Sequence, residues 1–203
     1  MMNRWIFGLV AGLLAAGAAA QDMLQIEAPP TWQGGWTSAS DHGGPTWRFI
    51  AYKPANAPAS PKDFITITSA WGGSQKDGVA RLIDSWEAKV RGACPDVMAI
   101  PPRPTSENGF TVGYAQFYCP RRTGANEGTT DFVKAIASDT TAHLVVVSRV
   151  TPPFAVAVPR LIQYEDRADQ DALVEWLKSV SDYLVTVRAC RGPSPLEMTC
   201  SPP

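Results

Sequence analysis

The sequence lacks an excess of positive charge. It carries 18 Lys and Arg residues against 19 Asp and Glu residues, whereas nucleic-acid-binding proteins ordinarily present a clear cationic face. The same balance argues against a polybasic protein that binds a membrane surface. We therefore expect neither a nucleic-acid partner nor a role that depends on attraction to anionic lipid.

Histidine is also scarce, since His42 and His143 are the two in the whole chain. They form neither an H-E-x-x-H motif nor a Cys/His cluster, and no CxxC pair occurs, so a catalytic zinc site and a thioredoxin-type redox pair are disfavoured. The spacing of the carboxylates neither supports nor excludes calcium. We predict no metal and no cofactor.

Long hydrophobic runs are absent after residue 20, and none approaches the length that spans a membrane. Residues 1–20 have the three parts of a cleavable secretory signal peptide. Arg4 is positive, residues 5–17 are uncharged and mostly apolar, and residues 18–20 are the small Ala-Ala-Ala that precedes a cleavage site. An uncleaved anchor is the alternative. We expect a periplasmic or secreted mature chain that begins at Gln21 and does not insert into the membrane.

Four cysteines remain after the predicted cleavage site. An even number in an exported chain favours disulfides. We predict Cys94–Cys119 and Cys190–Cys200 because each pair closes a local loop, and buried free thiols are the alternative.

Hydrophobic periodicity predicts two amphipathic helices. Apolar residues recur at helical spacing over about 77–92, with Asp77 as N-cap and Gly92 as the end, and again over 169–187. Alternating or β-branched runs predict strands, with a hairpin turn at 139–142. The predicted strands are 47–52, 64–68, 109–118, 132–138 and 143–150. The fold class is therefore α+β, an antiparallel sheet packed with two helices and bonded by disulfides.

The domain plan follows from these elements. Residues 21–46 are rich in Gly, Pro, Ser and Trp and predict an irregular or edge-strand opening. Residues 47–189 form a single α+β domain, and 190–203 are a Pro-rich tail tethered by a disulfide. The order of elements over residues 47–187 resembles the Mog1/PsbP type of α/β/α sandwich, and also small secreted proteobacterial proteins. Members of that fold serve as adaptors and assembly accessories as often as anything else, so the resemblance implies no activity by itself.

The most suggestive catalytic string is the Asp-His-Gly-Gly of residues 41–44, which resembles the oxyanion loop of some esterases. Those enzymes also need a G-x-S-x-G nucleophile elbow, and none is present. Asp41 and His42 are the catalytic candidates, although a simple turn is favoured. His143 is expected to be partly exposed at a strand end.

Two groups of residues are candidates for binding. Arg121 and Arg122 follow a predicted strand, and the arginine fork suits carboxylate or phosphate, although a solvated loop is the simpler interpretation. Trp32 and Trp36 lie in the Gly-rich opening, where indoles that do not reach the core offer a binding surface.

The absence of catalytic motifs favours a non-catalytic binding or accessory protein whose partner is another envelope or secreted protein. Two alternatives remain open. One is a hydrolase of unfamiliar type that uses His42 or a pair of carboxylates. The other is a secreted inhibitor or immunity-like protein.

Overall fold

A computed structural model describes residues 21–32, 34–72, 74–157 and 161–192. The predicted signal peptide, residues 1–20, lies outside this part of the chain, as does the tail after residue 192. The described elements are, in chain order, β1 Gln21–Gln25, β2 Trp36–Gly44, β3 Trp47–Pro54, β4 Asp63–Trp71, α1 Gly78–Ala93, β5 Met98–Glu107, β6 Phe110–Cys119, β7 Gly128–Ala137, β8 Thr141–Thr151, β9 Ala155–Ala157, β10 Leu161–Gln163, α2 Arg167–Thr186 and β11 Arg188–Gly192.

Within the described ranges, seven strands form one antiparallel sheet in the order β2-β3-β4-β8-β7-β6-β5. We call it the main sheet. It consists of two meanders, β2–β4 and β5–β8, which are contiguous in sequence and meet where β4 pairs with β8. The predicted α+β class with an antiparallel sheet is confirmed.

The main sheet packs against one helix on each face. Side chains alternate along a strand, so successive residues of β8 contribute to the two opposite cores. Leu144 and Val146 belong to the core that contains Ile83 and Trp86 of α1. Val145 belongs to the opposite core, which contains the buried side chains of α2. No helix in the described ranges is long and apolar enough to cross a membrane.

A two-stranded ribbon of β1 and β11 covers one end of the α2 face. Asp22 holds it to the β7–β8 hairpin, since its carboxylate accepts hydrogen bonds from Ser138 and from Thr141 at 3.2 Å. Arg191 donates to the same carboxylate at 2.9 Å. Of the two alternatives predicted for the opening segment, the structure has the edge strand, since β2 forms an edge of the main sheet, and β1 in addition pairs with β11.

The predicted disulfide Cys94–Cys119 is confirmed, with Cα atoms 5.8 Å apart. Both residues are buried, and the bond joins the end of α1 to the end of β6. The second predicted disulfide, Cys190–Cys200, includes Cys200, which lies outside the described residues.

Candidate functional site

A cleft of about 790 Å³ lies between α2 and the segment 27–32 that precedes β2. We call it the α2 cleft. One long wall is α2, from Ala172 to Thr186, and the opposite wall is the 27–32 segment. Val147 and Arg149 of β8 line it from the main sheet. The cleft has the size of a typical ligand pocket.

The 27–32 segment is held in place at both ends. The Trp32 backbone N–H donates to the Pro29 carbonyl at 2.8 Å, which closes a turn. The Trp32 side chain is buried, with 8% of its surface exposed, and packs in the α2-face core. The Tyr183 hydroxyl donates to the Glu27 carbonyl at 2.7 Å and so joins the segment to α2. Both walls of the cleft are therefore preformed.

Aromatic rings and one arginine occupy the interior of the cleft. Trp176 packs edge-on against Phe132 below it, with ring centroids 5.8 Å apart. The Arg149 guanidinium lies 4.9 Å from the centroid of the Trp176 ring, within the range of a cation–π contact. Asp63 accepts two hydrogen bonds from Arg149, at 2.7 and 2.8 Å, so the arginine charge is compensated.

Carboxylates dominate the remaining charge of the cleft. Glu27, Glu175 and Asp182 line it, and all three residues are exposed. Within the part of the chain that the structure describes, none of the three forms an ion pair. Burial, and then the nearby Glu27 carboxylate, raises the pKa of Tyr183, so its hydroxyl stays protonated and neutral. The cleft thus presents a net negative charge beside an aromatic interior.

Asp41 and His42 do not form a catalytic pair. They lie within β2, so the prediction that this string is a turn is wrong, and the turn comes after Gly44. Consecutive strand residues point to opposite faces of a sheet, which separates the two side chains. Asp41 accepts two hydrogen bonds from Arg48, at 2.7 and 3.1 Å, which lower the pKa of its carboxyl, while the His42 ring lies 6.4 Å from Phe49.

Replacing His42 by alanine is expected to change the free energy of unfolding by less than about 0.5 kcal/mol, as for an ordinary surface substitution. The His42 side chain is exposed and loses only its contact with Phe49. Urea denaturation measures the stability, and complementation of a deletion strain measures the function. A variant that melts like the wild type but fails to complement would show that His42 has a functional role.

The remaining candidates for binding lie apart from the cleft. Trp36 stacks on Tyr52 at 4.3 Å, on the edge of the main sheet. Arg121 and Arg122 are exposed, and Arg122 lies 4.0 Å from Glu127 across its own loop. None of the three residues Trp36, Arg121 and Arg122 is among the described residues that line the α2 cleft.

His143 is buried, with 6% of its surface exposed, so the expectation of a partly exposed strand end is wrong. It is covered because the β1–β11 ribbon is held over this end of the sheet by Asp22. The Nδ1 atom lies 2.9 Å from the Ser69 hydroxyl, and Nε2 has no hydrogen-bond partner among the described residues. Burial lowers the pKa of His143 to about 4, which makes it a weak base at neutral pH.

The buried His143 predicts acid sensitivity. Its pKa is about 4 in the folded chain and about 6.5 when unfolded, so between these values the unfolded chain binds a proton that the folded chain excludes. Stability is complete above pH 6.5 and falls by about 3 kcal/mol as the pH approaches 4. Urea denaturation of the wild type and of His143→Gln at pH 7 and pH 4.5 measures this loss. Asp22 and Asp131 titrate in both proteins, so they contribute equally to the two results. If both proteins lose the same free energy of unfolding between pH 7 and pH 4.5, the loss is not due to His143.

No protein-family model matches the chain, and no curated protein matches it. Of the residues predicted to bind, the structure places Trp32 in the α2 cleft and leaves Trp36, Arg121 and Arg122 outside it. Sequence reasoning missed Glu27, Glu175 and Asp182 as parts of a site. Glu175 and Asp182 are acidic residues on a helix surface, which are ordinarily solvated. The sequence contains no signal that brings these two residues close to Glu27 and the rest of the 27–32 segment.

Proposed function

We propose that this chain is an exported, non-catalytic binding protein, and that its α2 cleft receives a segment of another envelope or secreted protein. The observation that carries the proposal is a preformed cleft with an aromatic interior and uncompensated carboxylates. Such a site is suited to recognition, since ligand pockets combine apolar walls with a few polar groups in fixed positions.

The two aliphatic hydroxyl groups that α2 contributes to the cleft favour binding over hydrolysis. A nucleophilic hydroxyl needs an adjacent general base. Ser179 instead donates to the Trp176 carbonyl at 2.9 Å, and Thr186 donates to the Tyr183 carbonyl at 2.7 Å. Both contacts are bonds within the helix itself, and the described lining of the cleft includes no histidine.

Site-specific cross-linking in the native cells tests the proposal. A photoreactive benzoylphenylalanine replaces Ala172, an exposed residue that lines the cleft. The matched control places the same group at Val174, which is 55% exposed on α2 and is not among the described lining residues. We expect a discrete cross-linked partner from position 172 and none from 174. Equal products from both positions, or none from either, would reject the cleft as the binding site.

The export part of the proposal has its own measurement. The intact mass of the protein recovered from the periplasm or the medium is expected to correspond to a chain that begins at Gln21. Recovery of the full-length chain in a membrane fraction would contradict it.

A further inference from the structure

We infer that the occupant of the α2 cleft is an extended peptide segment with two basic side chains about three residues apart, presented by a partner protein. This inference rests on the proposed binding function and specifies its ligand. It follows from the length of the cleft, the positions of its carboxylates, and the contact that an arginine of this chain already makes inside it.

The length of the cleft fits a peptide. The lining residues of α2 run from Ala172 to Thr186, which at 1.5 Å per residue is a wall of roughly 21 Å. An extended chain advances about 3.3 Å per residue, so the wall accommodates about six residues of peptide. A small amine would fill only a fraction of such a groove.

The carboxylates set the spacing of the basic residues. Glu175 and Asp182 are separated by two helical turns and both face the cleft, so their Cα atoms lie roughly 10 Å apart along the α2 axis. In an extended segment of polyproline II conformation the side chains repeat every three residues at about 3.1 Å per residue, so basic residues at i and i+3 lie about 9 Å apart on the same face of the peptide. Glu27, on the opposite wall, adds a third negative charge to the same space.

The interior suits the long stems of lysine and arginine. These side chains bury their methylene groups on apolar surfaces while the charged end stays near water or a counter-ion. Arg149 places its guanidinium 4.9 Å from the Trp176 ring, so a long cationic side chain already packs on the apolar surface of this site. Because Asp63 compensates Arg149, that arginine does not repel a second cation.

Charge also argues against the chain's own tail as the occupant. Residues 193–203 contain Glu197 and no Lys or Arg, so the tail would bring a further negative charge to a cleft that is already negative. Like charges held close together at an interface are destabilising. The tail thus lacks the basic residues that the cleft selects, and we assign the occupant to a partner protein.

Three fluorescein-labelled hexapeptides test the ligand chemistry on the mature protein. The first is Leu-Lys-Ala-Leu-Lys-Leu-amide with the fluorescein attached to its N-terminal amine, and in the other two both lysines are replaced by glutamine or by glutamate. Fluorescence anisotropy at 20 and 150 mM NaCl is expected to show the lysine peptide binding at least tenfold more tightly than the glutamine peptide. This preference is expected to shrink at the higher salt concentration, because exposed charges are screened. Equal affinity for the three peptides would overturn the inference.

A charge-removing variant locates the peptide. In Glu175→Gln/Asp182→Asn the affinity for the lysine peptide is expected to fall about tenfold, whereas Asp84→Asn, an exposed acid on α1, is expected to leave it unchanged. Thermal melting checks that both variants fold. An unchanged affinity in the double variant would overturn the inference.

The cross-linking result separates the two possible failures. A partner captured at position 172 without a preference for the lysine peptide would reject the basic ligand and retain the cleft. The absence of any cross-link from position 172 would reject the cleft itself.

Discussion

Replacing Lys134 by alanine is expected to lower the free energy of unfolding by about 4 kcal/mol. Lys134 lies in β7, an inner strand of the main sheet, and its side chain is fully buried. Its ammonium group donates to the Glu107 carboxylate at 2.7 Å and to the carbonyls of Leu184 and Val187 at 3.2 and 2.7 Å. All three donors are therefore used, and two of them satisfy carbonyls at the end of α2 that have no partner within the helix.

The alanine variant removes this anchor and also leaves an empty volume. Burial lowers the pKa of Lys134 and Glu107 opposes that effect, so the lysine depends on its acceptors to remain charged. Lys134→Met is the matched control, because it fills the space but donates nothing, and we expect it to cost about 2 kcal/mol for the unpaired carbonyls. Urea denaturation measures both variants. Breaking a buried ion pair ordinarily costs well over about 1 kcal/mol. A loss of less than about 1 kcal/mol in the alanine variant would therefore refute the anchoring role.

Replacing Trp86 by alanine is expected to cost about 4 kcal/mol, on the opposite face of the main sheet. Trp86 is buried between α1 and the sheet, and its indole N–H donates to the Asp131 carboxylate at 3.0 Å. Asp131 is buried, and this burial raises the pKa of its carboxyl. The alanine variant therefore leaves both a cavity and a buried carboxyl that has lost a donor.

Trp86→Phe reduces the cavity relative to alanine, since it keeps a six-membered ring while it removes the N–H group and the rest of the indole. We expect it to cost about 1–2 kcal/mol. The single variant Asp131→Ala and the double variant Trp86→Phe/Asp131→Ala complete a mutant cycle that measures the contact itself. Strictly additive effects of the two substitutions would show that the 3.0 Å contact contributes nothing to stability.

Periodic apolar positions were sufficient to predict α1. Val79, Ile83, Trp86 and Val90 are buried as the pattern predicts, because a helix can bury such a stripe only against another layer. The helix continues one residue beyond Gly92, with Cys94 as its C-cap. Local pattern thus identifies the element and its buried face, and tertiary contacts adjust its end.

The sequence did not predict β5, an edge strand of the main sheet, or the short strands β1, β9, β10 and β11 outside that sheet. β5 contains Pro101, Pro102 and Pro104, which argue against a strand in sequence. The prolines are tolerated because β5 is an edge strand, which pairs with β6 alone among the described strands. The register between β5 and β6 also shifts between Ile100 and Arg103. The polar β2 forms the other edge. Most of its side chains are exposed, so the strand does not need apolar residues and lacks the pattern that would identify it.

The α2 cleft could not be predicted because its walls come from opposite ends of the chain. The Tyr183 hydroxyl and the Glu27 carbonyl, which join the walls, are 156 residues apart in sequence. Trp32 is predicted as a binding residue on the condition that its indole does not reach the core, and the structure does not meet that condition. Its ring packs into the α2-face core, which only the complete fold assembles.

The junction between β4 and β8 has a consequence for how fast the chain folds. Its contacts join residues as far apart as Asp63 and Arg149, a separation of 86 residues, and distant pairings of this kind ordinarily slow folding. The meander β5–β8, however, is built from neighbouring hairpins and can form first. Once it has formed, the loop that must close when β4 pairs with β8 consists only of the chain between β4 and β5, which is α1 and its flanks. We therefore expect the chain to close one short loop late in folding, at a much smaller entropic cost than the sequence separation implies.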